Sequence, residues 1–121
     1  MCIRDSYYLG GNVYSASKHA VKAITRSLRI DLKGYKIRVT EIDPGSVNTE
    51  FSEVRWDKER AEKLYKGWTP LVANDISDAV VYAVSRPEHV NISEMIIYPV
   101  EQVAVDMLHR EGDDVKGLFD D

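Results

Sequence analysis

The 121-residue sequence holds one cysteine, Cys2, so an internal disulfide framework is excluded and a reducing, cytoplasmic setting is expected. Proline (four) and glycine (seven) are sparse and no tract is of low complexity, which argues against a disordered or fibrous chain. Long apolar runs are missing too. Stretches such as 95–97 fall far short of the roughly 20 residues a membrane span needs, and the start has no signal-peptide pattern, so no membrane partner is expected. Lys and Arg are dispersed among Asp and Glu, and the net charge is −4, so nucleic acid is not an expected partner. His19, His89 and His109 are far apart and lack cysteines at zinc spacing, and no metal site is expected.

What is present, 44% hydrophobic and 30% charged residues, fits one globular unit. Apolar residues at Val13, Ala16, Ala20, Ile24, Leu28 and Leu32, widened by Val21 and Ala23, predict a helix over 13–32 with Gly34 as a left-handed cap. Residues 37–42 alternate and are rich in β-branched types, which predicts a strand closed by Asp43-Pro44-Gly45. Residues 46–57 have no period and read as a long loop. A charged helix follows over 57–65, with Glu59 and Lys63 at i,i+4. Asn74-Asp75 offers an N-cap for a helix carrying Ile76, Ala79, Val80, Ala83 and Val84, which Pro87 closes. Residues 94–98 form a short, apolar second strand, and 101–121 read as an acidic, solvated tail. The order is that of one βαβ crossover behind a leading helix. Two parallel strands want a larger sheet around them, so the unit looks partial on physical grounds.

Tyr14 and Lys18 lie four apart on the first helix and therefore share a face. A phenol, with a reference pKa of about 10, exchanges protons poorly at neutral pH unless its phenolate is stabilised. An adjacent ammonium supplies that stabilisation, after which the phenol can protonate a carbonyl oxygen or take the proton of an alcohol. The spacing alone is a weak signal: seven Tyr and eight Lys give about half of one such pair by chance. A helix-face aromatic beside a solvated lysine is the plainer reading of the pair in isolation.

The surroundings are more specific. Gly10-Gly11-Asn12-Val13-Tyr14-Ser15-Ala16-Ser17-Lys18, followed about thirty residues later by Asp43-Pro44-Gly45-Ser46-Val47-Asn48-Thr49, resembles the active-site half of the short-chain dehydrogenase/reductase family. The resemblance implies an α/β fold: a partial Rossmann-like, doubly wound parallel sheet, C-terminal half only. It spans 8–102, leaving 1–7 as a non-matching, unstructured start and 103–121 as the acidic tail. It implies Tyr14 as general acid/base, and Lys18 as the charge that lowers its pKa and holds the nicotinamide ribose hydroxyls. Pro44 and Gly45 would line the nicotinamide pocket, and the backbone of Val47 and hydroxyl of Thr49 would meet the carboxamide and nearby phosphate. The segments 50–55 and 87–92 look like the branch that oxidises 3-hydroxy acids, including serine, with NADP; NAD is the alternative cofactor. A small-molecule substrate and a homo-dimer or homo-tetramer are the partners implied.

Departures from the family pattern are as informative. The Gly-rich phosphate loop and the residue that chooses NAD or NADP have no counterpart. The family's catalytic serine falls thirteen residues before Tyr14, where Met1 stands; Ser6 does not match, the further catalytic asparagine is absent, and Leu9 replaces a frequent proline. The first six residues look like a foreign junction or a truncated reading frame, and the isolated chain is expected to be inactive. Phe51 and Arg55 are weaker candidates for contact with substrate, Arg because its fork suits a carboxylate, although a surface ion pair is the plainer reading of Arg55. Phe51, Trp56 and Trp68 read equally as a lid or as core of a small subdomain. The competing reading of the chain is a non-catalytic partial α/β unit that self-associates through a strand edge and the apolar stripe of its first helix.

Overall fold

In the computed structural model, which describes residues 11–51, 54, 58–104 and 107–112 (and not the side chains of 60 and 61), helix α1 spans Asn12–Asp31. It agrees with the predicted helix to within a residue at each end. Gly34 follows at φ +93°, the left-handed region in which a residue without Cβ is unstrained. Strand β1 (Glu41–Pro44), helix α2 (Lys58–Leu64), helix α3 (Ala73–Val84) and strand β2 (Glu94–Ile97) complete the order. β1 and β2 pair in parallel with Glu41 opposite Glu94 and Pro44 opposite Ile97, joined through α2 and α3. This is the crossover the sequence implies, and it makes the chain a partial Rossmann-like α/β unit.

The two helices that matter most lie on opposite faces of the strand pair. Side chains alternate along a strand, so Thr40 and Ile42 point one way and Glu41 and Asp43 the other. Thr40 and Ile42 line a cleft with Val80, Ala83 and Val84 of α3. On the other face, Lys22 of α1 reaches Glu94 at 3.4 Å and Arg29 donates to the Ser93 hydroxyl. Helices on both faces are what a doubly wound sheet requires.

Several boundaries differ from the sequence reading. β1 begins at Glu41 rather than at 37, because the preceding residues bond to a side chain instead of a neighbouring backbone. Val39 donates to Asn91 Oδ1 (2.8 Å) and accepts from Asn91 Nδ2 (3.1 Å), while Thr40 Oγ1 donates to Ile92 O. α3 begins at Ala73, so Asn74 and Asp75 lie inside its first turn. Asp75 still closes the helix start, its carboxylate accepting from Val72 N–H at 2.8 Å. Its far end is held by Arg38, which donates to Val84 O and Arg86 O at 2.9 and 2.8 Å, a cation where the helix leaves carbonyls unmatched. Within the expected loop 46–57, Phe51 and Val54 are helical, and Val54 N–H bonds Glu50 O at 2.9 Å.

The acidic run after Tyr98 is exposed at about half of its described residues but is tied to the fold by hydrogen bonds. His109 N–H bonds Glu101 O, Glu111 N–H bonds Gly67 O, and the Arg110 guanidinium donates to Leu64 O and Lys66 O at the end of α2. Those carbonyls have no partner inside the helix, which is why an arginine is held there. Residues 113–121 and the non-matching start, 1–7, lie outside the described residues. Among the described residues no helix is long and apolar enough to cross a membrane.

Candidate active site

α1 presents Tyr14 and Lys18 on one face, as the spacing requires, and the Lys18 ammonium lies 5.4 Å from the centre of the Tyr14 ring. Both side chains are half-buried. Ser15, between them, is buried and His19 Nδ1 pairs with Ser15 O at 2.8 Å, so this face of the helix is packed, not free. Ala16 and Ser17 are small and exposed.

The second candidate segment follows β1 directly. Pro44 ends the strand, Gly45 N–H bonds Ile97 O at 2.7 Å, and the chain then turns. A Cβ on Gly45 would stand 2.6 Å from Gln102 Oε1, 2.8 Å from Tyr98 Cδ1 and 3.1 Å from Pro99 Cδ, so this position has no room for a side chain. The bend is fixed backbone group by backbone group. Ser46 N–H bonds Gln102 Oε1 at 2.8 Å, Leu71 N–H bonds Ser46 O, Asn48 N–H bonds Leu71 O, and the Tyr65 hydroxyl donates to Val47 O at 3.1 Å. Thr49 is exposed; its hydroxyl accepts from Phe51 N–H at 3.4 Å. Beside Asn48 and Thr49 a cleft of about 570 Å³ opens toward Glu59, Glu62, Lys63 and Lys66 of the α2 region.

The weaker candidates separate. Phe51 is about half exposed, Trp68 is buried with its Nε1–H on Leu64 O at 2.7 Å and its ring 5.8 Å from that of Tyr65. Trp68 is thus core. Arg55 and Trp56 lie outside the described residues. The sequence reading missed two features. Glu41, Asp43 and Glu94 bring carboxylate oxygens within 4.8 Å of one another, a cluster that only the strand register creates and that Lys22 faces. Gln102, 3% exposed, holds the bend from 56 residues away, and no local pattern marks it.

Comparison with known proteins gives this geometry a context. Residues 5–60 match the family model for the short chain dehydrogenase. The chain is 42% identical over 97 residues to a serine 3-dehydrogenase of Agrobacterium fabrum, covering 78% of this chain and 39% of that protein. It is 38% identical over 110 residues to an NADP-dependent 3-hydroxy acid dehydrogenase of Schizosaccharomyces pombe, covering 89% and 42%. The chain belongs to the short-chain dehydrogenase family. A solved closed form of serine dehydrogenase complexed with NADP+ superposes on 88% of the chain and 44% of its own length, with TM-score 0.78 and 42% identity. The chain spans about two fifths of the length of these short-chain dehydrogenase relatives. Family membership accounts for the partial Rossmann-like fold of the chain.

Proposed function

We propose that the chain supplies the catalytic helix and the nicotinamide bend of an NADP-dependent oxidoreductase, which interconverts the alcohol and carbonyl forms of a short 3-hydroxy acid. The observation that carries the reading is the ammonium of Lys18, 5.4 Å from the Tyr14 ring centre, on the packed face of α1. NADP, when bound, supplies or accepts the hydride at the substrate carbon. Tyr14 gives its Oη proton to the carbonyl oxygen in reduction and takes it from the alcohol in oxidation. The charge of Lys18 stabilises the phenolate left behind. It also holds the ribose hydroxyls.

The donor set of the bend suits the nicotinamide end of such a cofactor. Pro44 and the side-chain-free Gly45 would bound the pocket, the Val47 backbone would meet the carboxamide, and the Thr49 hydroxyl would meet the nearby phosphate. Phe51 and Arg55 would meet the substrate, with the Arg55 guanidinium donating to the substrate carboxylate. Relatives named for NADP and for serine or 3-hydroxy acids support the choice of cofactor and substrate class, with NAD as the alternative cofactor. The working form is a cytoplasmic homo-dimer or homo-tetramer that also contains a Gly-rich phosphate loop and the catalytic serine.

The test is direct. The chain alone should bind NADPH without saturation and show no activity. Fused behind the N-terminal portion of the Agrobacterium serine 3-dehydrogenase, it should reduce NADP+ when serine is added. A fusion that folds but leaves NADP+ untouched with serine and with other 3-hydroxy acids defeats the reading.

One observation favours a second reading, a non-catalytic unit that self-associates. The apolar stripe of α1 faces outward, with Val13 78%, Ile24 65% and Val21 49% exposed. The two readings part on the fusion experiment, since a purely self-associating unit would restore no hydride transfer.

A further inference from the structure

The Gln102 side chain is one of the least exposed polar groups described, and both halves of its carboxamide are engaged. Oε1 accepts from Ser46 N–H at 2.8 Å, and Nε2 donates to Ala104 O at 3.2 Å. Its own N–H bonds Pro99 O at 3.0 Å, so the turn leaving β2 sets where the carboxamide can stand. Gly45 is the residue that makes room for it, since any Cβ there would meet Oε1 at 2.6 Å. A buried amide that satisfies one segment's N–H and another's carbonyl welds the two, because leaving either unpaired away from water is costly.

We infer that Gln102 is a positioning residue for the nicotinamide: by holding the Ser46 amide it fixes the direction in which the Val47 backbone and Thr49 hydroxyl point. The inference rests on the proposed function, in which those two groups meet the carboxamide end of NADP. Gln102 touches no reacting atom. Its effect should therefore appear in how tightly the nicotinamide half of the cofactor is held, and not in the adenine half, which belongs to a different part of the fold.

Two variants of the fusion described above test this, Gln102→Leu and Gln102→Glu. Hydrogen exchange should accelerate at Ser46 N–H in Gln102→Leu, while amides in the middle of α3 keep their protection. NADPH should bind about tenfold more weakly to Gln102→Leu, with unchanged affinity for 2′-phospho-ADP-ribose, which has no nicotinamide. Gln102→Glu, whose carboxylate still accepts from Ser46 but cannot donate to Ala104 O, should keep slower exchange at Ser46 N–H than Gln102→Leu. Unchanged Ser46 exchange in Gln102→Leu, or equal weakening of NADPH and the fragment, overturns the positioning role while leaving the proposed function standing. A parent fusion that binds NADPH no better than the fragment overturns the proposed function and this inference with it.

Discussion

Lys22 of α1 sits 3.4 Å from the Glu94 carboxylate of β2, with the two side chains only 11% and 23% exposed. This ion pair fastens the helix bearing Tyr14 and Lys18 to the strand pair, and it faces a cluster completed by Glu41 and Asp43. Three carboxylates this close repel one another, and a partly buried cation is what makes the arrangement tolerable.

Lys22→Met should therefore destabilise the folded chain by about 2–4 kcal/mol, because it takes an ammonium away from a half-dry carboxylate cluster. Pairing it with Glu94→Gln should recover part of that loss. Urea unfolding of the parent, both single variants and the double variant would give a coupling of about 1–3 kcal/mol. Strict additivity would mean that the contact contributes nothing.

Gly45→Ala places a methyl group against Gln102, Tyr98 and Pro99. The methyl cannot be absorbed by one flexible side chain, since a proline ring and an aromatic ring share the boundary. A loss of about 1–3 kcal/mol is expected, accompanied by faster hydrogen exchange at Ser46 N–H. Parent-like stability and exchange would show that the bend is looser than its contacts imply.

The outward apolar stripe of α1 has an expected consequence in solution. Replacing Ile24 and Leu28, 65% and 42% exposed, by glutamate should weaken self-association measured by sedimentation, without lowering helix content. A parent chain that is monomeric at every concentration would contradict the expectation that this stripe meets a second subunit.

Helix α1 was legible because its apolar residues recur every three to four positions, yet the same pattern misleads about which side is inward. Ser15, His19, Lys22 and Thr25 are on the better-buried side, while Val13, Val21 and Ile24 are exposed. The reason lies in the strands. The face that α1 meets carries Glu41, Asp43 and Glu94, so a lysine is pulled inward, and no property of the helix sequence reveals that. The early start expected for β1 fails for a similar reason: alternation over 37–40 is real, but its partner is the Asn91 side chain. Pairing of Tyr14 with Lys18 was legible because four residues make one helical turn. Gln102 was not, since its role depends on a contact across 56 residues and on the absence of a Cβ at Gly45.

Serine-dependent reduction of NADP+ by the fusion, followed at the absorbance of NADPH in the parent and in Tyr14→Phe, bears most directly on the proton-transfer role. Removing one hydroxyl should lower kcat by about 10²–10⁴-fold, with NADPH affinity close to that of the parent. A Tyr14→Phe fusion that turns over at the parent's rate would show that the proton comes from elsewhere.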